Sequence, residues 1–119
     1  MTKTFQLYAR VLRWVDGDTF VGILDQSCFI YQGTEAKPRR FRCALINTPE
    51  LKVDGQPNVP GIAAAEYAAE IAPPGEYMCI STGLDEYGRP LLDLVTDKGR
   101  FSERMIASGH AEPYRRSLE

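Results

Sequence analysis

What is scarce in this 119-residue chain narrows it first. There is one histidine, His110, so a zinc site would have almost no imidazole to use. The three cysteines, Cys28, Cys43 and Cys79, are odd in number, far apart and without C-x-x-C spacing, which favours buried free thiols over a disulfide with a spare. No apolar run reaches the roughly 18 residues of a membrane helix, and the opening MTKTFQLYARVLRWV alternates where a signal peptide would be continuously apolar. No membrane partner and a cytoplasmic location are therefore expected, with export if a leader has been removed. Excess charge of one sign is also missing: 14 Lys and Arg against 16 Asp and Glu give −2, unlike a protein that relies on a large basic patch for nucleic acid.

What is present is an ordinary globular composition, 44% apolar and 25% charged, which excludes disordered and collagen-like classes. A chain of this length makes one domain, residues 1–119, able to bury roughly 65% of its unfolded surface. The terminal Leu118–Glu119 matches a cloning scar and carries no weight. No internal repeat appears, and a monomer is expected.

The rhythm along the chain is mostly period two. In FQLYARVLRWV, Leu7, Ala9 and Val11 are expected to face a core, with Tyr8, Arg10, Leu12 and Trp14 on the other side. Asp16-Gly17 suits a type I′ hairpin turn, which leaves Asp18 as a second carboxylate where a strand should resume. TFVGIL is the second strand, its Gly22 marking a bulge or sharp bend. CFIY extends that hairpin, and Gly33 and Pro38 mark the turn back. RFRCALI is the third strand, with Phe41, Cys43 and Leu45 on one face and Arg40, Arg42 and Ala44 on the other. Residues 47–61, with three prolines and two glycines, read as a long surface loop. IAAAEYAAEIA is a helix with an Ala64, Tyr67, Ala68, Ile71 stripe, stopped by Pro73, Pro74 and Gly75. EYMCIST and RPLLDLV supply strands four and five. FSERMIAS is a short helix with Phe101, Met105 and Ile106 inward, ended by Gly109. The order is mainly β with α and predicts an OB-fold five-stranded barrel, with one helix between strands three and four and a short C-terminal helix. A small sandwich or SH3-like barrel would read similarly.

The chemistry sits in three places. DGDT supplies Asp18; FRCALINTPE supplies Arg42, Asn47, Thr48 and Glu50; DEYGR supplies Asp85, Tyr87 and Arg89. Asp18, the Asn47 side-chain oxygen and a carbonyl near Thr48 are hard donors of the kind calcium accepts, and Glu50 adds a carboxylate nearby. Arginine's planar fork can bond two phosphate oxygens at once. Each feature also has a bland reading: Asp18 as a turn-flanking acid, Arg42 as a cross-strand partner, EYGR as a tight turn.

VDGDTF, RFRCALINTPE, DEYGRPLLDL and ASGHAEPY follow one another in an order and spacing that resembles the staphylococcal nuclease-like, or thermonuclease, family over about residues 9–114. The resemblance implies an OB-fold phosphodiesterase that hydrolyses DNA or RNA with Ca2+ and leaves 3′-phosphates. It implies that Asp18, Asn47 and the main-chain oxygen of Thr48 hold the ion, that Glu50 reaches it through water and acts as general base, and that Arg42 and Arg89 clamp the phosphate. Tyr87 and Tyr114 are expected against sugar and base. Two departures from the family pattern stand out. Asn47 replaces an aspartate, removing one negative charge from the ligand set, and Glu86 stands where a lysine is common. The family's long basic third helix is not expected here, and a shallow salt dependence is expected with it. A non-catalytic OB module that binds nucleic acid or protein is the alternative, and an interaction or inhibitor domain with no nucleic-acid role is a third.

Overall fold

The computed structural model describes residues 4–114. The principal ladder starts with β1 (Phe5–Asp16) and β2 (Thr19–Asp25), which pair antiparallel from Tyr8↔Asp25 to Asp16↔Thr19. β3 (Tyr31–Gln32) and β4 (Arg39–Arg42) both pair with β2. A minor strand β5 (Ile46–Asn47) and the small hairpin β6 (Lys52–Val53) and β7 (Gln56–Pro57) lead into helix α1 (Val59–Ile71). β8 (Gly75–Ser81) returns along the other edge of β1, followed by β9 (Asp93–Thr96) and β10 (Gly99–Arg100). Helix α2 (Phe101–Ala107) and β11 (Glu112–Pro113), which pairs with β5, complete a mainly β fold with two helices. Beyond its end, β4 meets the run before β9 at a parallel Cys43–Leu92 bridge, where Ala44 N donates to Leu92 O at 2.8 Å and Leu92 N to Arg42 O at 3.1 Å.

Strand alternation holds at Ala9 and Val11, which are buried, and is then reset. The β1–β2 register shifts between Val11 and Arg13, so an inserted residue reverses which side the following residues face. Trp14, expected outside, therefore packs against the core, stacked 4.9 Å from Phe101 with Nε1 donating to Ala72 O. Gly22 lies at this bulge as expected: a Cβ there would be 2.0 Å from the Arg10 carbonyl oxygen.

The first Asp-Gly pair does not form a type I′ turn. The two residues between the paired Asp16 and Thr19 are Gly17 and Asp18, and neither has a positive φ. Gly17 is there for a different reason. A Cβ on it would come within 2.9 Å of the Ala64 side chain and 3.0 Å of Thr48, so the turn fits closely beneath α1. The left-handed turn is formed instead by the second Asp-Gly pair, Asp54 (φ 52°) and Gly55 (φ 77°), which joins β6 to β7 within the segment expected to be featureless. That segment also contains the start of α1, with Pro60 in its first turn, where the missing N–H costs nothing.

Three further expectations are corrected. Leu45 does not face the core: it adopts φ 71°, is 39% exposed, and the break in alternation sends Ala44 and Ile46 inward. Ile106 is at the surface, and Ser102 takes the inner position, donating its Oγ and its amide to buried Asp93. Cys43 and Cys79 are buried free thiols as read, but Cys28 is exposed on the tip after β2, where Ser27, Cys28 and Phe29 all have positive φ.

Candidate active site

Asp18 is the centre of the bonded part of the site. The Gly17–Asp18 turn buries it to 5% exposure, and its main-chain oxygen accepts from Cys43 N at 2.7 Å, tying the turn to the end of β4. Its Oδ2 accepts the Thr48 amide at 3.1 Å and lies 3.0 Å from Arg42 Nη1, while Oδ1 accepts from Thr19 Oγ1. Burial disfavours its charge. The hydrogen bond from Asp16, the Arg42 guanidinium and the Thr48 amide outweigh that and hold the carboxyl below the ordinary value.

Asp16, treated in the sequence only as a turn residue, is the member of this site that was missed. Burial and its side-chain interaction with Asp18 push its pKa up to about 6, although the Asp18 amide donates to its Oδ1 at 3.0 Å, so Asp16 gives up its proton less readily than Asp18. The repeated acid in DGDT was the available signal.

Arg42 is shared. Besides Asp18 it reaches Ile46 O (3.1 Å) and Asn47 Oδ1 (3.3 Å) through Nη2, and its guanidinium lies 5.4 Å from the centroid of the Tyr114 ring. Tyr114 is brought there because its amide donates to Leu45 O and β11 pairs with β5. A second, independent pair has the same composition. Arg89 lies over Tyr87 at 5.2 Å, its Nε donates to Asp85 Oδ2, and its Nη1 donates to Arg40 O at 2.7 Å. Asp85 Oδ1 accepts the amides of Tyr87 and Arg89, so one acid both shapes the turn and aims the guanidinium.

Arg42, Arg89, Tyr87 and Tyr114 line one cleft of about 700 Å³, whose walls are β4 with its extension and the 82–91 turn. Asp18 lies behind Arg42 and not in the cleft lining. Asn47 and Thr48 border a separate shallow hollow of about 270 Å³ with Pro49 and residues 109–112. Glu50 enters neither hollow: its side chain is exposed and makes no hydrogen bond or ion pair among the described residues. Its main chain, by contrast, is held. Asn58 Nδ2 donates to Glu50 O at 2.8 Å, and Gly61 of α1 packs so close that a Cβ would be 1.9 Å from that oxygen.

The oxygen donors suit a hard cation such as calcium. They are the Asp18 carboxylate, Asn47 Oδ1, the Thr48 main chain and the buried Thr48 Oγ1, which has no hydrogen-bond partner among the described residues. Two of these donors, Asp18 Oδ2 and Asn47 Oδ1, already face the Arg42 fork, which supplies a positive charge of the protein's own. Among the described residues no three His, Cys, Asp or Glu side chains cluster as a metal site, as a set built from one carboxylate, one carboxamide and main chain would not. A comparison with protein-family models finds no match to this chain, and a comparison with curated proteins finds none either.

Proposed function

We propose that this protein is a nuclease: a calcium-dependent phosphodiesterase that hydrolyses DNA or RNA to 3′-phosphate products on an OB-type barrel. In this barrel β1, β2, β4, β8 and β9 are the five principal strands, and the Cys43–Leu92 bridge is the contact that supports closure between β4 and β9. The observation that carries the reading is the cleft with two guanidinium–tyrosine pairs, each arginine braced by a carboxylate that is itself largely buried. A phosphodiester needs this combination. The forks bond non-bridging oxygens and stabilise the added charge of a five-coordinate transition state, while ring faces accept sugar or base.

In the proposed reaction Glu50 accepts a proton from the attacking water as its oxygen bonds to phosphorus. The P–O5′ bond breaks and the departing O5′ takes a proton from solvent water, giving a 3′-phosphate and a 5′-hydroxyl. Arg42 and Arg89 hold the phosphoryl group in line. Asp18 keeps the Arg42 fork aimed, and Asn58 and Gly61 hold the chain at Glu50. Calcium, held by Asp18, Asn47 and the Thr48 carbonyl, would add positive charge beside the phosphate.

One observation favours the alternative, a non-catalytic OB module binding nucleic acid or protein: Arg42 spans both side-chain metal donors while Glu50 is unengaged. The deciding experiment is cleavage of single-stranded DNA by the purified protein with calcium, with chelator, and with Glu50→Ala. Calcium-dependent cleavage abolished by Glu50→Ala supports the nuclease. Binding with no cleavage in any condition supports the module.

A further inference from the structure

Arg40 is the cleft arginine that neither the motif pattern nor the arrangement above employs. It stands two residues before Arg42 on β4, paired across to Val21 as Arg42 is to Thr19, so the two side chains leave the same face of the strand. Both line the cleft. Arg42 is balanced by Asp18 and Arg89 by Asp85, but the Arg40 guanidinium is exposed and has no hydrogen bond or ion pair among the described residues. Its main chain is nevertheless fixed, because Arg40 O accepts from Arg89 Nη1 at 2.7 Å. The cleft therefore has two arginines whose charge is already paired and one whose charge is not.

We infer that Arg40 binds a second phosphate, the one next to the phosphate held by Arg42 and Arg89, so that the cleft takes a single-stranded polynucleotide segment in preference to an isolated phosphodiester. This rests on the proposal that the cleft binds nucleic-acid phosphate. Two residues along a strand span about 6.8 Å, which is of the order of the separation between successive phosphates in an extended single strand. The exposed rings of Tyr87 and Tyr114 give a splayed strand faces to stack on, which a base-paired duplex does not present. Glu86, the unpaired acid in the cleft lining, lies on the opposite wall, in the turn with Tyr87 and Arg89, and leaves the β4 side as the positive track. Because Arg40 has no partner to release among the described residues, its charge is free to engage a phosphate.

The test compares Arg40→Gln with wild type on two substrates, an eight-residue oligothymidylate and the 4-nitrophenyl ester of thymidine 5′-phosphate, which carries one phosphodiester. KM for the oligonucleotide should rise about five- to tenfold, the scale of one net hydrogen bond at a solvent-exposed site, with the effect on the single-phosphate ester below twofold. The slope of log affinity against log salt for the oligonucleotide should fall by about 0.7, and Arg40→Lys should restore that slope. Equal losses on both substrates, or an unchanged slope, would overturn the assignment of Arg40. The underlying reading fails separately. If wild type binds the oligonucleotide with an Arg40-dependent slope but cleaves neither substrate, the second phosphate site stands and the hydrolase does not. If wild type does not bind the oligonucleotide at all, both fall.

Discussion

Replacing Gly61 by alanine should separate the contribution of α1 to stability from its contribution to the site. The new Cβ would lie 1.9 Å from Glu50 O, 2.5 Å from its carbonyl carbon and 3.0 Å from Leu51 N, all main-chain atoms. Since carbon and oxygen come no closer than about 3.3 Å, the chain at Glu50 or the helix must retreat by roughly 1.4 Å. Retreat stretches the 2.8 Å bond from Asn58 Nδ2 to Glu50 O and the 2.8 Å bond from Asn58 N to Leu51 O. Gly61 has no positive φ and lies inside a helix, where alanine is intrinsically better by about 1 kcal/mol. Opposing that gain are overpacking, about 1–3 kcal/mol, and two weakened hydrogen bonds at about 1 kcal/mol each. The net expectation is a loss of about 2–4 kcal/mol, read as a lower urea midpoint with unchanged m. Because a displacement of about 1 Å at a catalytic group costs on the order of 10² in rate, single-turnover cleavage of single-stranded DNA should fall by that factor even well below the unfolding temperature. A variant as stable and as active as wild type would refute the close approach. A destabilised variant with wild-type turnover would show that this contact does not position Glu50.

Arg42→Ala and Arg89→Ala should each lower kcat by roughly 10², with lysine restoring only part; wild-type turnover in both would sink the phosphate-clamp role. Arg42→Ala should in addition destabilise the fold, by about 1–3 kcal/mol in urea unfolding, because it strips the partner from buried Asp18, whereas exposed Glu50→Ala should not. Asp16 titrates at about 6 in the folded chain against 3.8 for the free side chain, so the folded state holds the proton more tightly. Its stabilisation is complete below the unfolded value and lost as pH rises through about 6. In chelator, the Tm of the wild type should therefore drop between about pH 4 and 7 relative to Asp16→Asn, by the equivalent of about 1–2 kcal/mol after allowing for partial exposure; parallel profiles would exclude the raised pKa of Asp16. Asn47→Asp should tighten calcium by up to about tenfold, less where the new carboxylate pairs with the Arg42 fork 3.3 Å away; an unchanged calcium dependence of cleavage would remove residue 47 from the ligand set.

The tests that use turnover share one feature of the site: the Arg42 side chain belongs to both of its halves. Arg42 faces the cleft with Tyr114 and at the same time neutralises Asp18 behind it. Its substitution is therefore expected to change both chemistry and stability. Arg89, whose carboxylate partner lies in its own turn, provides the comparison in which the catalytic loss should come with a smaller structural one.

The local pattern of residues was enough to read the order of the principal strands and the two helices, the buried Ala9, Val11, Phe41 and Cys43, the bulge at Gly22 and the helix stop at Gly109, because alternation, helical spacing and glycine chemistry act over a few neighbours. It also named Arg42, Arg89 and Tyr87 of the cleft, while Tyr114 came from the resemblance and Arg40 was not singled out. Tertiary structure decided which Asp-Gly pair turned left-handed. Asp54-Gly55 is unconfined and took the type I′ form, whereas Gly17 is pressed against Ala64 and Thr48, contacts that no local window contains. It decided that Trp14 faces inward, since one bulge reverses every later position on the strand. It also paired Asp16 with Asp18 and set Arg42 between Asp18 and Asn47, because the charge state of each acid depends on the depth to which the turn is buried and on an amide thirty residues away, quantities that exist only once the chain has folded.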